Sequence, residues 1–382
     1  MRVRFLLLNA YAVGGTVRTV VNQANALAAA GHEVEVTSVR RHRAEPRFAL
    51  HPDVRLRALV DDTALTARTA WLAACPSVLT TRADGKYDRF SLLSDRRLVR
   101  YLRGLDGGVL IATRPALNLL AARFTAPGVL RVGQEHLHYG HHRPALARQI
   151  DRWYRRLDAV TVLTAADRRT YEERLAGSGV RVERIPNPLP DTEPPRSALD
   201  RPLILSAGRL VRTKGFDTLI RAFAPIAEHH PDWRLRIYGA GPERDRLRGL
   251  IHRLHLYNHV HLMGITPHLE REMAKASVFA LASRHEGFGM VLAEAMSHGV
   301  PPVSFDCPLG PREIITGGAG LLVSPPGDTE ALTKALGLLV ERPDARRALG
   351  ARARTAARRY STERVRAHWE TLFAELAGEA YA

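Results

Sequence analysis

Apolar residues run almost unbroken over 3–8 and then, after the turn "NAYAVGGT", recur at Val17, Val20, Val21, Ala24, Leu27 and Ala28. The first run is the pattern of a strand buried on both faces, and the second is one stripe of a helix. Gly31 supplies a residue that favours a helix end, and "EVEVTSV" then alternates as a strand. Together they predict a β-α-β unit. Further strands are predicted at 109–112, 129–133 and 159–163, while 41–105 shows no clear period.

From 203 onward the pattern sharpens. Apolar runs at 203–207, 234–238, 259–263, 277–282, 301–305 and 319–323 are separated by helical segments of about 8 to 15 residues. Strands alternating with helices require right-handed crossovers and a parallel sheet covered on both faces. Between Asn187 and Pro202, "NPLPDTEPPRSALDRP" is rich in proline and poor in apolar residues, and reads as a linker. The expectation is therefore an α/β protein with two Rossmann-like domains, 1–190 and 202–360, joined by a linker at 191–201. Parallel sheets bind ligands beyond their carboxyl ends, so the two are expected to face each other across a cleft. The segment 361–382, with a helix at 362–378, is expected to cross back to the first domain.

Composition narrows the class. The 382 residues are 45% hydrophobic and 25% charged, the balance of a soluble globular protein. No run approaches the roughly 18 apolar residues of a membrane span, and "VRFLLLNA" leads into a glycine turn rather than a cleavage site. Only Cys75 and Cys307 are present, so neither a disulfide framework nor a cysteine zinc site is expected, which fits a reducing cytoplasm. The net charge is +17, with 52 arginines against four lysines. A GC-rich codon bias accounts for arginine over lysine but not for bases over acids, so an anionic partner is expected. Zinc-finger spacing, an RNA-binding aromatic motif and a dense basic tail are all missing, which argues against nucleic acid.

Two stretches carry candidate chemistry. In "SAGRLVRTKGFDTLI", Arg209 and Lys214 flank a turn between a buried strand and a helix, a placement suited to a diphosphate. They can equally be two solvated charges in a loop, and the Gly-Lys-Ser/Thr ending of a P-loop is absent. In "SRHEGFGMVLAEAMSHGVPPVSFD", a loop containing Glu286, Gly287 and Phe288 leads to a helix start at Gly289 or Met290. The first-turn N–H groups of Gly289, Met290 and Val291 are free to bind phosphate oxygens. A carboxylate beside phosphate is repulsive, so Glu286 and Glu294 need other partners. Sugar hydroxyls are suitable ones: vicinal ribose hydroxyls for Glu294, the sugar beyond the diphosphate for Glu286. The bland alternative is that Glu294 only complements the helix dipole.

These stretches, with "LRIYGAGPERDRL" and "VHLMGIT", resemble the retaining nucleotide-sugar glycosyltransferases of family 4, which have the GT-B fold. The resemblance spans nearly all of 200–325 and includes an E-x7-E pair at Glu286 and Glu294. It is weaker in the first half, where it rests on "AVGGTVRTVVNQANALAAAGHEV" and "VGQEH". It implies a donor-binding second domain, with Arg209 and Lys214 on the diphosphate, Glu294 on the ribose and Glu286 toward the donor sugar. It also implies a histidine at His136 near the reacting carbon, retention of configuration, and no metal or other cofactor. "SFDCPLGPREII" resembles the branch that works on cell-surface polymers such as teichoic acid and polysaccharide.

In the first domain, Gly14 and Gly15 allow close backbone approach, and Thr16 is expected to cap the next helix. A complete G-x-G-x-x-G is missing and the second strand ends in Arg40 and Arg41, which argues against a dehydrogenase. "VGQEHLHYGHH" holds four histidines but no carboxylate pair, so a metal site is not expected. Thr113 and Arg114 are candidates for acceptor binding, or for a structural loop. Arg96, Arg100 and Arg103 form a stripe that is either a solvated face or, near "WLAACPSVL", a contact for an anionic membrane surface. The expected reaction moves a hexosyl or N-acetylhexosaminyl group from a nucleoside diphosphate sugar, UDP-linked above all, to a hydroxyl acceptor (polymer, lipid-linked or small molecule). An epimerase of the same shape and a non-catalytic nucleotide-sugar or polyanion binder are the rival readings.

Overall fold

The computed structural model describes residues 1–190 and 194–381. Residues 191–193 of the predicted linker lie outside the described residues, as does 382. The chain divides into two compact units: Met1–Pro190 with the helix that begins at Thr362, and a second unit that ends at Ser361.

The first unit runs through β1 (Arg2–Leu7), α1 (Gly15–Ala29), β2 (Glu33–Arg41), β3 (Val54–Asp61), α2 (Ala67–Ala74) and α3 (Leu92–Arg103). It continues with β4 (Val109–Ala112), α4 (Pro115–Phe124), β5 (Leu130–Gln134), α5 (Pro144–Trp153), β6 (Ala159–Val162), α6 (Ala165–Arg174) and β7 (Arg181–Arg184). The second unit begins with β8 (Leu203–Ala207), α7 (Phe216–His229), β9 (Arg234–Tyr238), α8 (Arg244–Arg253), β10 (Val260–Gly264) and α9 (Leu269–Met273). Then come β11 (Val278–Leu281), α10 (Met290–Ser297), β12 (Pro302–Phe305), α11 (Pro311–Ile314), β13 (Leu321–Val323), α12 (Thr329–Glu341) and α13 (Pro343–Ala357). The last helix, α14 (Thr362–Tyr381), packs on α1 in the first unit.

Both sheets are parallel, in the orders β3-β2-β1-β4-β5-β6-β7 and β10-β9-β8-β11-β12-β13. The strand order reverses between β1 and β4 in one sheet and between β8 and β11 in the other. At such a reversal the connections leave to opposite sides, which opens a crevice at the carboxyl ends of the strands. Each unit is thus a doubly wound α/β domain.

Alternate residues of β1 explain its unbroken apolar run. Val3, Phe5 and Leu7 pack with α1 and with Trp369 and Phe373 of α14, whereas Leu6 turns to the other face with Leu98 of α3 and Leu117 of α4. All six apolar residues that predicted α1 are buried in it. Thr16, expected to cap this helix, instead lies inside its first turn; the preceding cap position is Gly14, and no side chain caps the end.

The irregular stretch 41–105 holds one strand and two helices. β3 is an edge strand whose sequence, VRLRALVD, carries arginines on its open side. α3 starts at a capping box of Ser91 and Ser94, and its buried Asp95 accepts hydrogen bonds from Ser77 Oγ (2.7 Å) and from the Val78 and Leu79 N–H groups. In the second unit one core joins β8, β9, β11 and β12 to α7, α8 and α12. Beyond the undescribed residues, Ser197 donates to Ala276 O at 2.7 Å and its N–H to His298 O, so this stretch is held on the second unit.

Candidate functional site

The reversal between β8 and β11 brings two loops together. Past β8 the chain makes a short 3₁₀ turn at Arg212–Lys214, then enters α7 through Gly215 at φ 61°. A Cβ there would sit 1.9 Å from Ala282 O, so only glycine lets this loop lie against the end of β11. The approach places Lys214 Nζ 2.5 Å from Glu286 Oε1, to which it donates. Ser283 Oγ donates to the same oxygen at 2.6 Å. The Glu286 side chain is 7% exposed and that of Lys214 21%. Glu286 Oε2 accepts no hydrogen bond among the described residues, so one oxygen remains for a ligand.

Gly289, at φ 93°, is the cap of α10 and contributes no side-chain bond to it. The N–H groups of Met290 and Val291 have no carbonyl partner among the described residues, whereas that of Leu292 donates to Gly289 O, and no acidic side chain occupies that turn. The loop Gly287–Phe288 is fixed from behind. Phe288 is buried edge-on against Tyr360, and Gly310 comes so close that a Cβ would meet Phe288 O at 2.0 Å. Glu294 is half-buried one turn into α10. Arg209 is exposed, with no side-chain hydrogen bond or ion pair among the described residues. Thus Lys214, Glu286 and the uncapped end of α10 meet at one crevice mouth, with Arg209 on the β8 loop beside it.

Two participants were not singled out from the sequence. Ser283 orients the Glu286 carboxylate. Cys307, just past β12, is 3% exposed, and burial together with the nearby Glu286 charge pushes its thiol up to about 12, so it stays protonated. A serine or cysteine at a strand end carries no sequence signal until the fold supplies its neighbour.

At the reversal of the first sheet, Gly14 and Gly15 are exposed, and a Cβ on either would meet nothing within 4 Å. The expected close approach of backbone at these glycines is therefore not made by any described protein atom. Thr113 is buried and donates to Leu6 O at 3.0 Å. Arg114 pairs with the buried Asp84, whose carboxylate also accepts from Ala116 N–H. Both side chains brace β4 against its neighbours.

His136 follows β5. Its Nε2 is buried and has no hydrogen-bond partner among the described residues, and burial pushes the imidazole down to about 4. It is a neutral ring at physiological pH. The adjacent Glu135 is a different kind of residue. It is 1% exposed and accepts from Asn118 Nδ2 at 2.9 Å and from the Tyr154 hydroxyl. His142 Nε2 stands 3.6 Å from its other oxygen. Burial opposes charge on His142, but Glu135, with Asp167 and Asp84, outweighs it and raises that imidazole above its usual value. Among the described residues no three His, Cys, Asp or Glu side chains cluster closely enough to hold a metal ion.

The comparisons agree with this arrangement. Residues 13–193 match the family described as Glycosyltransferase Family 4, and residues 191–356 that described as Glycosyl transferases group 1. An exopolysaccharide phosphotransferase of Streptomyces coelicolor is 38% identical over 98% of this chain, which spans only 41% of that relative's length. An uncharacterized glycosyltransferase of Haemophilus influenzae is 26% identical over 82% of this chain and 83% of its own. Among solved structures, TarM of S. aureus, in a complex containing UDP, superposes with a TM-score of 0.79 at 15% identity, over 98% of this chain and 100% of TarM. The two matches cover both units in order and the fold is shared end to end: the chain belongs to the family 4-type glycosyltransferases of GT-B fold.

Proposed function

We propose that the protein transfers a hexosyl or N-acetylhexosaminyl group from a UDP-sugar to a hydroxyl acceptor, with retention of configuration and without a metal ion. The observation that carries this reading is the Lys214–Glu286 pair beside the uncapped end of α10. A cation, an uncapped helix N-terminus and a carboxylate with one open oxygen suit, in turn, a diphosphate and the sugar attached to it.

In this reading Arg209, Lys214 and the first-turn N–H groups hold the diphosphate, and Glu294 accepts from the ribose hydroxyls. Glu286 takes a sugar hydroxyl on Oε2, with Ser283 and Lys214 holding Oε1. His136 offers a neutral imidazole to the donor sugar. As the bond from C1 to the diphosphate oxygen breaks, negative charge grows on the leaving group, where Lys214 and Arg209 stabilise it. The acceptor oxygen bonds to C1 on the same face, and its proton passes to the departing diphosphate oxygen. Products are the glycoside and UDP.

The acceptor class follows from charge and kinship. A net charge of +17 favours an anionic acceptor, and the Streptomyces relative is named for exopolysaccharide. We place the protein with enzymes of cell-surface polymers, acting in the cytoplasm at the inner membrane face. No described helix is long and apolar enough to cross a membrane. Incubation with UDP-, GDP-, ADP- and dTDP-hexoses, with and without EDTA, tests the reading. UDP release that depends on an added polymer or lipid-linked acceptor and survives EDTA is expected. Strict dependence on Mg²⁺ or Mn²⁺, or interconversion of the sugar without transfer, would overturn it.

A further inference from the structure

A second concave site lies at the open edge of the second sheet. β10 is the outermost strand there, and a groove of about 540 Å³ runs along it beneath α8. Arg244, Arg248 and His252 recur at every fourth residue of α8, so they form one stripe about 12 Å long on the groove wall. Arg236 of β9 and His261 of β10 add to the lining, and Tyr257 closes one end.

The charges in this groove are poorly compensated. Arg244 has no side-chain hydrogen bond or ion pair among the described residues. Among the described residues Arg248 pairs only with Asp245, an exposed pair with side chains 63% and 82% accessible, which water largely screens. Glu272, the carboxylate facing Arg236 at 3.5 Å, is already shared with Lys275 and the Tyr238 hydroxyl. His261 registers the resulting field: burial first, and then the positive charges of Arg236 and Arg234, push its imidazole down. At one end, Tyr257 is 54% exposed and stacks on His252 at 6.2 Å. Exposed aromatic faces next to guanidinium groups match a ligand that alternates sugar rings with anions.

We infer that this groove binds an anionic glycan, a chain of sugars joined or decorated by phosphodiester groups, as an exosite that retains the polymer while its end is glycosylated. The inference rests on the proposed transferase reading for its acceptor, but the groove is separate from the donor crevice. It lies along the far edge, two strands from β8, and uses none of Arg209, Lys214, Glu286 or Glu294. Arg244 and Arg248, one turn apart on α8, with Arg236 on the groove lining, neutralise successive charges of a repeating polymer, which a single small anion would not need.

The test uses the full chain and a fluorescent phosphodiester-linked hexose oligomer of about six repeats, read by anisotropy. Its unphosphorylated counterpart, single-stranded DNA of equal charge and anionic phospholipid vesicles serve as the other probes. For Arg244→Glu/Arg248→Glu the oligomer should bind at least about 10-fold more weakly, and the salt dependence should flatten by about two counter-ions. UDP affinity and the melting temperature should stay at wild-type values, which shows that the variant is folded. Tyr257→Ala should weaken the hexose oligomer several-fold while leaving DNA binding unchanged. Wild-type oligomer affinity in the double variant would overturn the inference. So would DNA or vesicles binding as tightly as the oligomer, since the patch would then be a general polyanion or membrane contact. Failure of the transferase reading itself would show separately, as absent UDP-sugar turnover by the wild-type protein.

Discussion

Glu135 and Glu286 both stand just beyond the end of a buried strand, β5 in one unit and β11 in the other, and both are almost wholly buried. Their surroundings differ. Glu135 accepts from Asn118 and Tyr154 on Oε1, while its buried Oε2 has no hydrogen-bond partner among the described residues and faces the His142 ring at 3.6 Å. Glu286 is likewise bonded on Oε1 alone among the described residues, but one of its two donors is a lysine on a separate loop. A carboxylate closed in by a tyrosine, an amide and an imidazole of its own unit holds a fold together. A carboxylate held by a partly exposed lysine at a crevice mouth is equipped to meet a ligand. Burial alone does not separate the two; the partners do.

The largest expected effect comes from emptying the enclosed site. Glu135→Ala leaves the Tyr154 hydroxyl and Asn118 amide without their acceptor and His142 without its counter-ion. Breaking a buried pair in this way costs about 3–5 kcal/mol. The melting temperature of the first unit should fall by on the order of 10 °C. A calorimetric scan within about 2 °C of wild type would show that the network is not what holds β5, α4 and α5 together.

Lys214→Ala should do the opposite, slowing turnover by about 10²–10³ with little change in melting, because its charge acts on the leaving diphosphate. Arg209, exposed and with no side-chain partner among the described residues, should follow the same pattern on substitution by alanine. If Lys214→Ala unfolds the second unit rather than slowing the reaction, the distinction between the two glutamates fails.

A third effect separates the two histidines beside Glu135 by sign. His136 titrates near 4 in the folded chain and near 6.5 when unfolded, so the unfolded chain takes up its proton first as pH falls. Its contribution is complete above about pH 6.5 and is lost between there and about 4, up to about 3 kcal/mol. His142 has a raised folded value, so its contribution is present below about 6.5 and is lost as pH rises through that higher value. Denaturant titrations from pH 4 to 8 should show a flatter acid limb for His136→Gln. An unchanged acid limb would mean that this imidazole is not the group being protonated.

The smallest effect concerns the arginines of α3. Arg96, Arg100 and Arg103 are all exposed, and each would add about 1 kcal/mol at an anionic surface. Sedimentation with anionic vesicles should show weak, salt-sensitive binding that a triple Arg→Gln variant loses. Equal binding to zwitterionic vesicles would count against a membrane role for this face.

How much of this was legible in the sequence varies with burial. β8 and β9 fall at 203–207 and 234–238 as expected, because strands buried on both faces leave continuous apolar runs between helices. The loops bearing Lys214 and Glu286 were readable because glycines and charges cluster where a strand meets a helix. β3 was not readable: an edge strand with arginines on its open side mimics a loop. The partners of Glu135 were also hidden, since Asn118, His142 and Tyr154 are scattered over three elements and only the parallel register gathers them. Thr113 and Arg114 stood out as strand-end polar residues, yet their bonds to Leu6 O and Asp84 depend on chain segments far away in sequence.

The central claim is that the crevice at the β8–β11 reversal holds a nucleoside diphosphate sugar, and Glu294 tests it most directly. Glu294→Gln keeps the shape of the side chain and removes the charge that would accept ribose hydroxyl bonds. A hydrogen bond to a charged group contributes about 1.5–3 kcal/mol, so UDP should bind roughly 10- to 100-fold more weakly to this variant in titration calorimetry, at an unchanged melting temperature. Wild-type UDP affinity in Glu294→Gln, or no UDP binding by the wild-type protein, would contradict the account.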